Sequence, residues 1–596
     1  MAILNVTQVL ASQKSDPDHS IRVAHAMIYP EDIWFCIATF IAFISLCHAI
    51  SLLVRTLAIP RFKRSYKNTP TRGVIALSRL PLAIANAFRS ITFRSTVQLG
   101  ASYTLNIAEV FVTVIYITFI FVWALVNSTN TKGQKYDPKY WANVAANIAT
   151  TQLPLITALG TKNNIISYLT GIGYERLQYF HRTFARVVCV LIWVHAAGRI
   201  KIGLVGSLSI RFPWIRCGLL AATAFTILSI MSIRPLRRRH YEIFLIFHFV
   251  MVFIVLLGGY LHARANAEGN HIWPAFLIWG LDRAFRGIRI LIYNIGYVKK
   301  GSPEQYGHLE ALSPHFVRLT LQRPTYMHWR PGQNVYLTIP SVSGVFLEAH
   351  PFTISTIDTP LDVTGDTDSK TLTFLIRVRS GFTKRLLHAF SQTPEMKVIL
   401  DGPYGSPPSL RDFETVVLIA GGSGVSFTLS LFLDLIHRAK QGTTDCQKVI
   451  FIWAIRDASD ITLISDTLLT VVANPPSRIA IDIRIHVTAS NTERLKNSED
   501  GSDEENKADY MTSDAINLPG INIANGRPDL TRLVREETAK AIGAISFNVC
   551  GTPTMSNTVR SALCRLRFWD VLRGGASTAL HVESFGNTVC QLICGK

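Results

Sequence analysis

At 596 residues, 48% of them hydrophobic and with a net charge of +20, the chain is too long for one core and too apolar for a wholly soluble protein, so two or three domains are expected, part of them in a membrane. The charge does not mark a nucleic-acid partner, because basic residues such as Arg55, Arg61, Lys63, Arg64 and Lys67 lie in loops between apolar segments, the pattern of membrane topology. Nine scattered cysteines (Cys36, Cys47, Cys189, Cys217, Cys446, Cys550, Cys564, Cys590 and Cys594) give neither a disulfide framework nor zinc-ligand spacing.

The first twenty residues lack the apolar core and cleavage site of a signal peptide, so residues 1–32 read as an extracytoplasmic segment before a retained anchor at 33–54. Sequons stand at Asn5 and Asn127. Seven stretches approach the roughly 20 residues that cross an apolar layer, at 33–54, 105–126, 141–159, 179–198, 214–233, 241–262 and 272–292. The third is the most polar, with Asn143, Asn147, Gln152 and Pro154. The loop 55–100 carries nine Lys or Arg, and the link 234–240 carries Arg234, Arg237, Arg238 and Arg239. Both are expected in the cytoplasm, which places the N-terminus outside and everything beyond Tyr293 inside.

An ionisable side chain within a span is costly and is a functional candidate by default. A single one, such as His48, reads more simply as a satisfied core histidine. Four others form a pattern: His181 and His195 are fourteen residues apart, and His248 and His262 repeat that interval two helices later. Fourteen residues are nearly four helical turns, so each pair lies on one face at two depths about 21 Å apart. One span intervenes, so the two helices run parallel, and His181 is expected to meet His248 while His195 meets His262. Each pair suits one haem iron held on both sides, which favours electron transfer over binding at the metal. Zinc or copper would be left with incomplete sites.

The segments 174–186 (YERLQYFHRTFAR), 238–248 (RRHYEIFLIFH) and 279–283 (WGLDR) resemble haem and membrane helices of the ferric-chelate reductase and NADPH oxidase superfamily, most closely the fungal ferric and cupric metalloreductases. Ala185 stands where a glycine is more usual. The resemblance covers roughly 100–596. It implies a six-helix haem-binding membrane bundle at 100–295, followed by a ferredoxin-reductase-like module: an antiparallel FAD-binding β-barrel at 300–408 and an α/β NADPH-binding domain at 413–596, with an acidic insert near 496–508. It also implies a functional link to an iron permease or oxidase system.

A hydride donor cannot feed single-electron haems directly, so a flavin is required between them. His350, Pro351, Phe352 and Thr353 resemble the family's flavin-contacting motif, with Thr353 as the hydrogen-bonding member. The turn from Arg330 to Gln333 resembles a barrel turn of the family and reads equally well as a hairpin closure. Arg377 or Arg379, with backbone amides around Gly381, Phe382 and Thr383, suits the FAD pyrophosphate, against the alternative of a solvated basic strand end. The strand 416–420 runs into Gly421, Gly422, Ser423, Gly424 and Val425 before a helix, a dinucleotide-binding arrangement. The next strand ends in Arg456, where an arginine favours the 2'-phosphate of NADPH. Cys550 and Gly551 resemble the family's Cys-Gly-Pro turn near the nicotinamide, with Thr552 in the proline position, although Cys550 also reads as a small buried hydrophobe. Glu583, Ser584 and Phe585 resemble the terminal motif whose aromatic covers the flavin; eleven more residues follow, and Asn587 stands in place of a tryptophan.

These readings imply a transmembrane metalloreductase in the lipid bilayer, carrying electrons from cytosolic NADPH through FAD and two b-type haems to extracytoplasmic ferric chelates or cupric ions. The plasma membrane is the expected location, with the vacuole or another internal membrane as the alternative. A superoxide-generating oxidase is the competing function, and a non-enzymatic haem-binding membrane protein is the third. The extra N-terminal span and the absence of an EF-hand loop favour the reductase. The outer loops, such as 263–271, contain no evident metal-ligand cluster, and His271 and Glu268 are candidate contacts there, nothing stronger.

Overall fold

The computed structural model describes residues 18–57, 75, 77–99, 103–239, 241–265, 271–294, 306–313, 315–344, 348–358, 369–489, 518–541, 543–564 and 568–583. It divides into two compact units, Met1–Tyr66 with Glu109–Arg286, and Lys67–Ala108 with Gly287–Lys596. The acidic insert, the basic residues 58–74, Asn5, Glu268 and Phe585 lie outside the described residues.

The N-terminal half is helical, as chain with no water to bond to must be. Its elements are α1 (His19–Leu57), α2 (Leu80–Arg89), the hairpin of β1 (Thr96–Leu99) and β2 (Tyr103–Asn106), α3 (Ile107–Leu125), α4 (Pro138–Gly160), α5 (Tyr174–Ile202), α6 (Pro213–Met231), α7 (Tyr241–Arg264) and α8 (Trp273–Tyr293). Helix α1 starts at His19 rather than Ile33, because helical spacing continues through the polar residues that hid it in the sequence. All seven expected spans are helices, but among the described residues only five, α1, α3, α5, α6 and α7, are long and apolar enough to cross a membrane.

The other two fall short for different reasons. In α4 the polar residues face protein: Asn147 Nδ2 donates to the Ala26 carbonyl at 2.9 Å, Trp34 Nε1 donates to the Thr151 carbonyl at 2.8 Å, and Tyr116 Oη donates to Gln152 Oε1 at 3.3 Å. A helix wrapped by neighbours needs no apolar circumference. Its small residues Ala142, Ala145 and Ala149 are buried, which brings other helices close. In α8 the second half carries Asp282, Arg283, Arg286 and Arg289. Buried Asp282 accepts from the Asn163 amide at 3.0 Å and pairs with Arg283.

The second unit begins with a barrel of two sheets, ordered β7-β4-β3-β8 and β6-β5-β9. The strands are β3 (Tyr306–Ser313), β4 (Phe316–Pro324), β5 (Asn334–Thr338), β6 (His350–Thr353), β7 (Ser369–Arg377), β8 (Glu395–Lys397) and β9 (Ile399–Tyr404), and all pair antiparallel. Alternation of buried and half-buried residues along β4, β5 and β7 gives each sheet one core face. Helix α9 (Phe382–Phe390) follows β7. At the C-terminal end of α8, Asn294 Nδ2 donates to the Leu400 carbonyl at 2.7 Å while the Leu400 amide donates to Asn294 Oδ1 at 2.9 Å.

A six-stranded parallel sheet completes the unit, ordered β13-β12-β11-β10-β14-β15. Its strands are β10 (Thr415–Gly421), β11 (Lys448–Ile455), β12 (Ala480–Val487), β13 (Asn522–Asn525), β14 (Ala544–Cys550) and β15 (Ser577–Glu583), and α10 (Val425–Lys440) follows β10. The central strands β10, β11 and β14 are buried on both faces, which accounts for their continuous apolar runs. The chain leaves β10 toward β11 and later returns to its other side as β14. Their C-terminal ends therefore form the crevice in which open α/β sheets bind ligands.

The sequence reading gave the loop 55–100 only a topological role, but residues 77–99 and 103–108 fold onto the edge of this sheet. Arg94, only 3% exposed, donates to the Thr578 carbonyl and to Thr578 Oγ1, both at 2.6 Å, and to Asn86 Oδ1 at 3.3 Å. Thr578 Oγ1 also donates to Asn86 Oδ1 at 2.8 Å, and Arg560 donates to the Phe93 carbonyl at 3.2 Å. Ala83 packs with Val571 and Leu572. Replacing Arg94 with alanine strips this buried network of its donor, at an expected cost of about 2–3 kcal/mol. Thermal release of flavin from the detergent-purified full chain is expected several degrees lower in that variant.

Candidate functional site

The membrane helices bring the four histidines together in two pairs. The ring centroids of His181 and His248 are 6.3 Å apart, and those of His195 and His262 are 6.2 Å apart. An imidazole nitrogen ligates a first-row metal at about 2 Å, so two rings on opposite sides of one iron have centroids about 6.3 Å apart. Both pairs meet that spacing, and each lies between α5 and α7, which run parallel with α6 between them in sequence. The donor set fits two six-coordinate haem irons.

Hydrogen bonds at the outer ring nitrogen orient three of the four rings. His181 Nδ1 donates to the Ile156 carbonyl at 2.8 Å, His195 Nδ1 to the Ala142 carbonyl at 2.9 Å and His262 Nδ1 to the Trp214 carbonyl at 2.9 Å. With the proton on Nδ1, the Nε2 lone pair is free for a metal. His248 Nδ1 is buried with no hydrogen-bond partner; its ring lies against Phe244 and Phe249.

In the barrel, the two segments expected at the flavin meet. The His350 ring lies 4.5 Å from the ring of Phe382, and Phe352 is 6.4 Å from it. Thr353 is buried at the end of β6, while Pro351 is exposed. Gly381 has φ +74°, and the helix it starts, α9, has no side-chain cap on its first amides, an arrangement suited to an anion. Thr383 Oγ1 accepts from the Arg379 amide at 2.8 Å. Arg377, at the end of β7, reaches the glycine loop of the next domain: a Cβ on Gly422 would lie 3.1 Å from its Nη1.

Sequence reasoning missed a cluster beneath this shelf. The buried carboxylate of Glu348 accepts from His350 Nε2 at 2.9 Å, from the Gly344 amide at 2.6 Å and twice from Arg385 at 2.8 Å. Burial pushes its pKa up, but the bonds from His350 and Gly344 and the charge of Arg385 outweigh it and hold the carboxyl below its ordinary value. Glu348 is two residues from His350 along an extended segment, the one local hint of the pairing; Arg385 is 37 residues away. A carboxylate with a lowered pKa stabilises the fold above the ordinary carboxylate range and loses that effect as pH falls through its folded value. Flavin release on acidification is therefore expected to begin below about pH 4.5 in the native protein. A Glu348→Gln variant is expected to lose that step and to bind flavin more weakly at neutral pH, as followed by flavin fluorescence.

The nucleotide loop lies at the switch point of the parallel sheet. Gly421 ends β10, and Gly422 has φ +54°, a backbone conformation closed to most side chains. Ser423 and Gly424 lead into α10 at Val425, again without a side-chain cap. A Cβ on Gly424 would collide with the carbonyl of Cys550, and one on Gly421 would lie 3.2 Å from Gly551 Cα. The glycine loop and the Cys550–Gly551 turn thus pack backbone to backbone. Cys550 is fully buried at the end of β14, and Arg456 is exposed just past the C-terminal end of β11. The turn at Gly332, φ +86°, packs on Phe427 of α10, where a Cβ would lie 2.7 Å from the ring. That barrel turn therefore sits at the domain junction rather than only closing a hairpin. Gly424→Ala forces β14 away from β10, so nucleotide affinity is expected to fall at least about tenfold with flavin retained, measured by isothermal titration.

Three family profiles match the chain: "Ferric reductase like transmembrane component" at residues 145–259, "FAD-binding domain" at 306–408 and "Ferric reductase NAD binding domain" at 413–564. Fold and site thus define a multi-pass membrane protein joined to a ferredoxin-reductase-like module with FAD-binding and NAD-binding domains. Fungal ferric and cupric reductase transmembrane components are its homologues. It is 24% identical over 479 residues to "Ferric/cupric reductase transmembrane component 1" of Candida albicans, covering 76% of this chain and 60% of that protein. It is 30% identical over 344 residues to a "Probable cell surface ferric reductase" of Aspergillus oryzae, covering 53% of this chain and 44% of the other. A solved flavohemoglobin from Malassezia yamatoensis is 15% identical, covering 74% of this chain and 97% of that one, with a TM-score of 0.34.

Proposed function

We propose that this protein is a transmembrane metalloreductase that takes hydride from cytosolic NADPH and delivers single electrons to ferric chelates or cupric ions beyond the membrane. The observation that carries the reading is the pairing of His181 with His248 and of His195 with His262, both at the spacing one iron requires. The names of the fungal relatives support a ferric or cupric acceptor. The name of the Aspergillus oryzae relative, a cell surface reductase, likewise supports a plasma-membrane location.

FAD and two b-type haems, when bound, supply the conversion of a hydride pair into single electrons and their relay through the apolar layer. The chain's part is to hold, orient and insulate. Thr353, Phe352 and His350 form the isoalloxazine shelf, which Glu348 and Arg385 brace from below. Arg377 and the amides of Gly381, Phe382 and Thr383 hold the pyrophosphate of the flavin nucleotide. Gly421 to Val425 hold that of NADPH at the N-terminus of α10, with Arg456 for the 2'-phosphate. Cys550 and Gly551 border the nicotinamide. His181 with His248 and His195 with His262 would hold the two haem irons, and irons held in that way would pass single electrons rather than bind the acceptor. The basic link at 234–239 supports a cytoplasmic reductase half.

The direct test is anaerobic. Detergent-purified protein with NADPH is expected to reduce a ferric chelate without oxygen, and faster than with NADH. Metal reduction that disappears without oxygen or on adding superoxide dismutase would make dioxygen the acceptor and the protein an oxidase. No NADPH oxidation at all would leave a haem-binding membrane protein.

A further inference from the structure

Two of the three imidazoles that reach a backbone carbonyl do so where the facing helix has lost its side chain. A helical carbonyl that accepts its own i+4 amide keeps a second lone pair. A ring approaching that lone pair must cross the space of the side chain one turn further on. At Ile156 that residue is Gly160, where a Cβ would lie 2.9 Å from His181 Nδ1 and 3.0 Å from its Cε1. At Trp214 it is Gly218, where a Cβ would lie 2.5 Å from His262 Nδ1 and 2.7 Å from its Cε1. At Ala142 the residue one turn on is Ala146, and there the approach is made from the other side. Gly198, three residues beyond His195, lets α5 come so close that a Cβ would lie 2.7 Å from both Ala142 Cβ and the Trp141 ring. No described glycine has the His248 ring among its near neighbours, and His248 is the one ring whose Nδ1 has no partner.

We propose that Gly160 and Gly218 are positioning residues for electron transfer, each seating one axial imidazole against a helix carbonyl, and that the inner site is asymmetric because His248 has no such seat. The inference rests on the bis-histidine haem reading above. A bond from Nδ1–H to a carbonyl fixes the tautomer and makes the ring a stronger donor through Nε2, which stabilises the ferric over the ferrous state. Losing the bond leaves a weaker donor and raises the midpoint potential of that haem. Gly160 acts on the inner haem alone, through His181. Gly218 acts on the outer haem alone, through His262.

The test uses the full chain in detergent, with Gly160→Ala, Gly218→Ala and, for comparison, Gly259→Ala, whose Cβ would make only ordinary contact with Ile272 at 3.4 Å. Spectroelectrochemical titration is expected to show one midpoint potential raised in Gly160→Ala, the other raised in Gly218→Ala, and neither moved in Gly259→Ala. Selective loss of a single haem, with the flavin kept, would place the same glycine at the same site and supports the proposal equally. Unchanged potentials in both variants at full haem occupancy would overturn it, as would both variants shifting the same haem. A second measurement needs no variant and so survives any failure to fold. Electron–nuclear double resonance on the oxidised wild-type protein is expected to show two matching Nδ1 proton couplings at one haem and two unequal ones at the other; equal couplings at both would overturn the asymmetry. The underlying reading fails separately: if His181→Ala retains two six-coordinate haems, the ligand assignment is wrong, whatever the glycine variants do.

Discussion

Four imidazoles sunk between apolar helices must satisfy two nitrogens each without help from water, and the architecture of the membrane half follows from that requirement. One nitrogen of each ring faces its opposite number across a gap the size of a metal ion with its bonds. In three of the rings the other finds an acceptor in the surrounding helices, a backbone carbonyl already used by its own helix, and only His248 Nδ1 is left without one. To expose a carbonyl's second lone pair, the accepting helix must be narrow at that point and must come close. Helix α4 serves two of the rings, one near each end, through Ile156 and Ala142. Five of its 23 residues are alanine, and its polar residues turn to α1 and α3, where Asn147 donates to the Ala26 carbonyl and Gln152 accepts from Tyr116. It can afford low hydropathy because it is enclosed.

The second unit meets a related constraint in aqueous form. Two nucleotide-shaped ligands have to be held with their reactive rings facing each other, so the barrel and the parallel sheet must bring their anion-binding turns to one place. Gly332 against Phe427 and Arg377 beside Gly422 are the contacts that do this, and each requires backbone where a side chain would intrude. The segment around Arg94 closes the far edge of the same sheet. It pairs a chain segment from before α3 with the last described strand of the protein.

What the sequence made legible was whatever repeats at short range. The fourteen-residue interval between histidines is visible without a partner, and helical periodicity converts it into depth and facing. A glycine loop between an apolar strand and a helix is equally local. The start of α1 at His19 was hidden because Arg22, His25, Glu31 and Asp32 interrupt hydropathy without interrupting the helix. The docking of residues 77–99 and 103–108, the bracing of Glu348 by Arg385 and the burial of α4 depend on residues far apart in the chain, and nothing in the local pattern of Asn86, Arg94 or Arg385 announces its partner. The segment at Phe585 was legible as a motif, but its place falls outside the described residues.

The most direct test of the account counts haem iron against flavin in the wild-type protein and records near-infrared magnetic circular dichroism of the oxidised form. Two haems per flavin, both with the charge-transfer band of paired neutral imidazoles, is the predicted result. One haem per flavin, or a high-spin component showing an open axial position, would contradict the pairing of His181 with His248 and His195 with His262 on which the account rests.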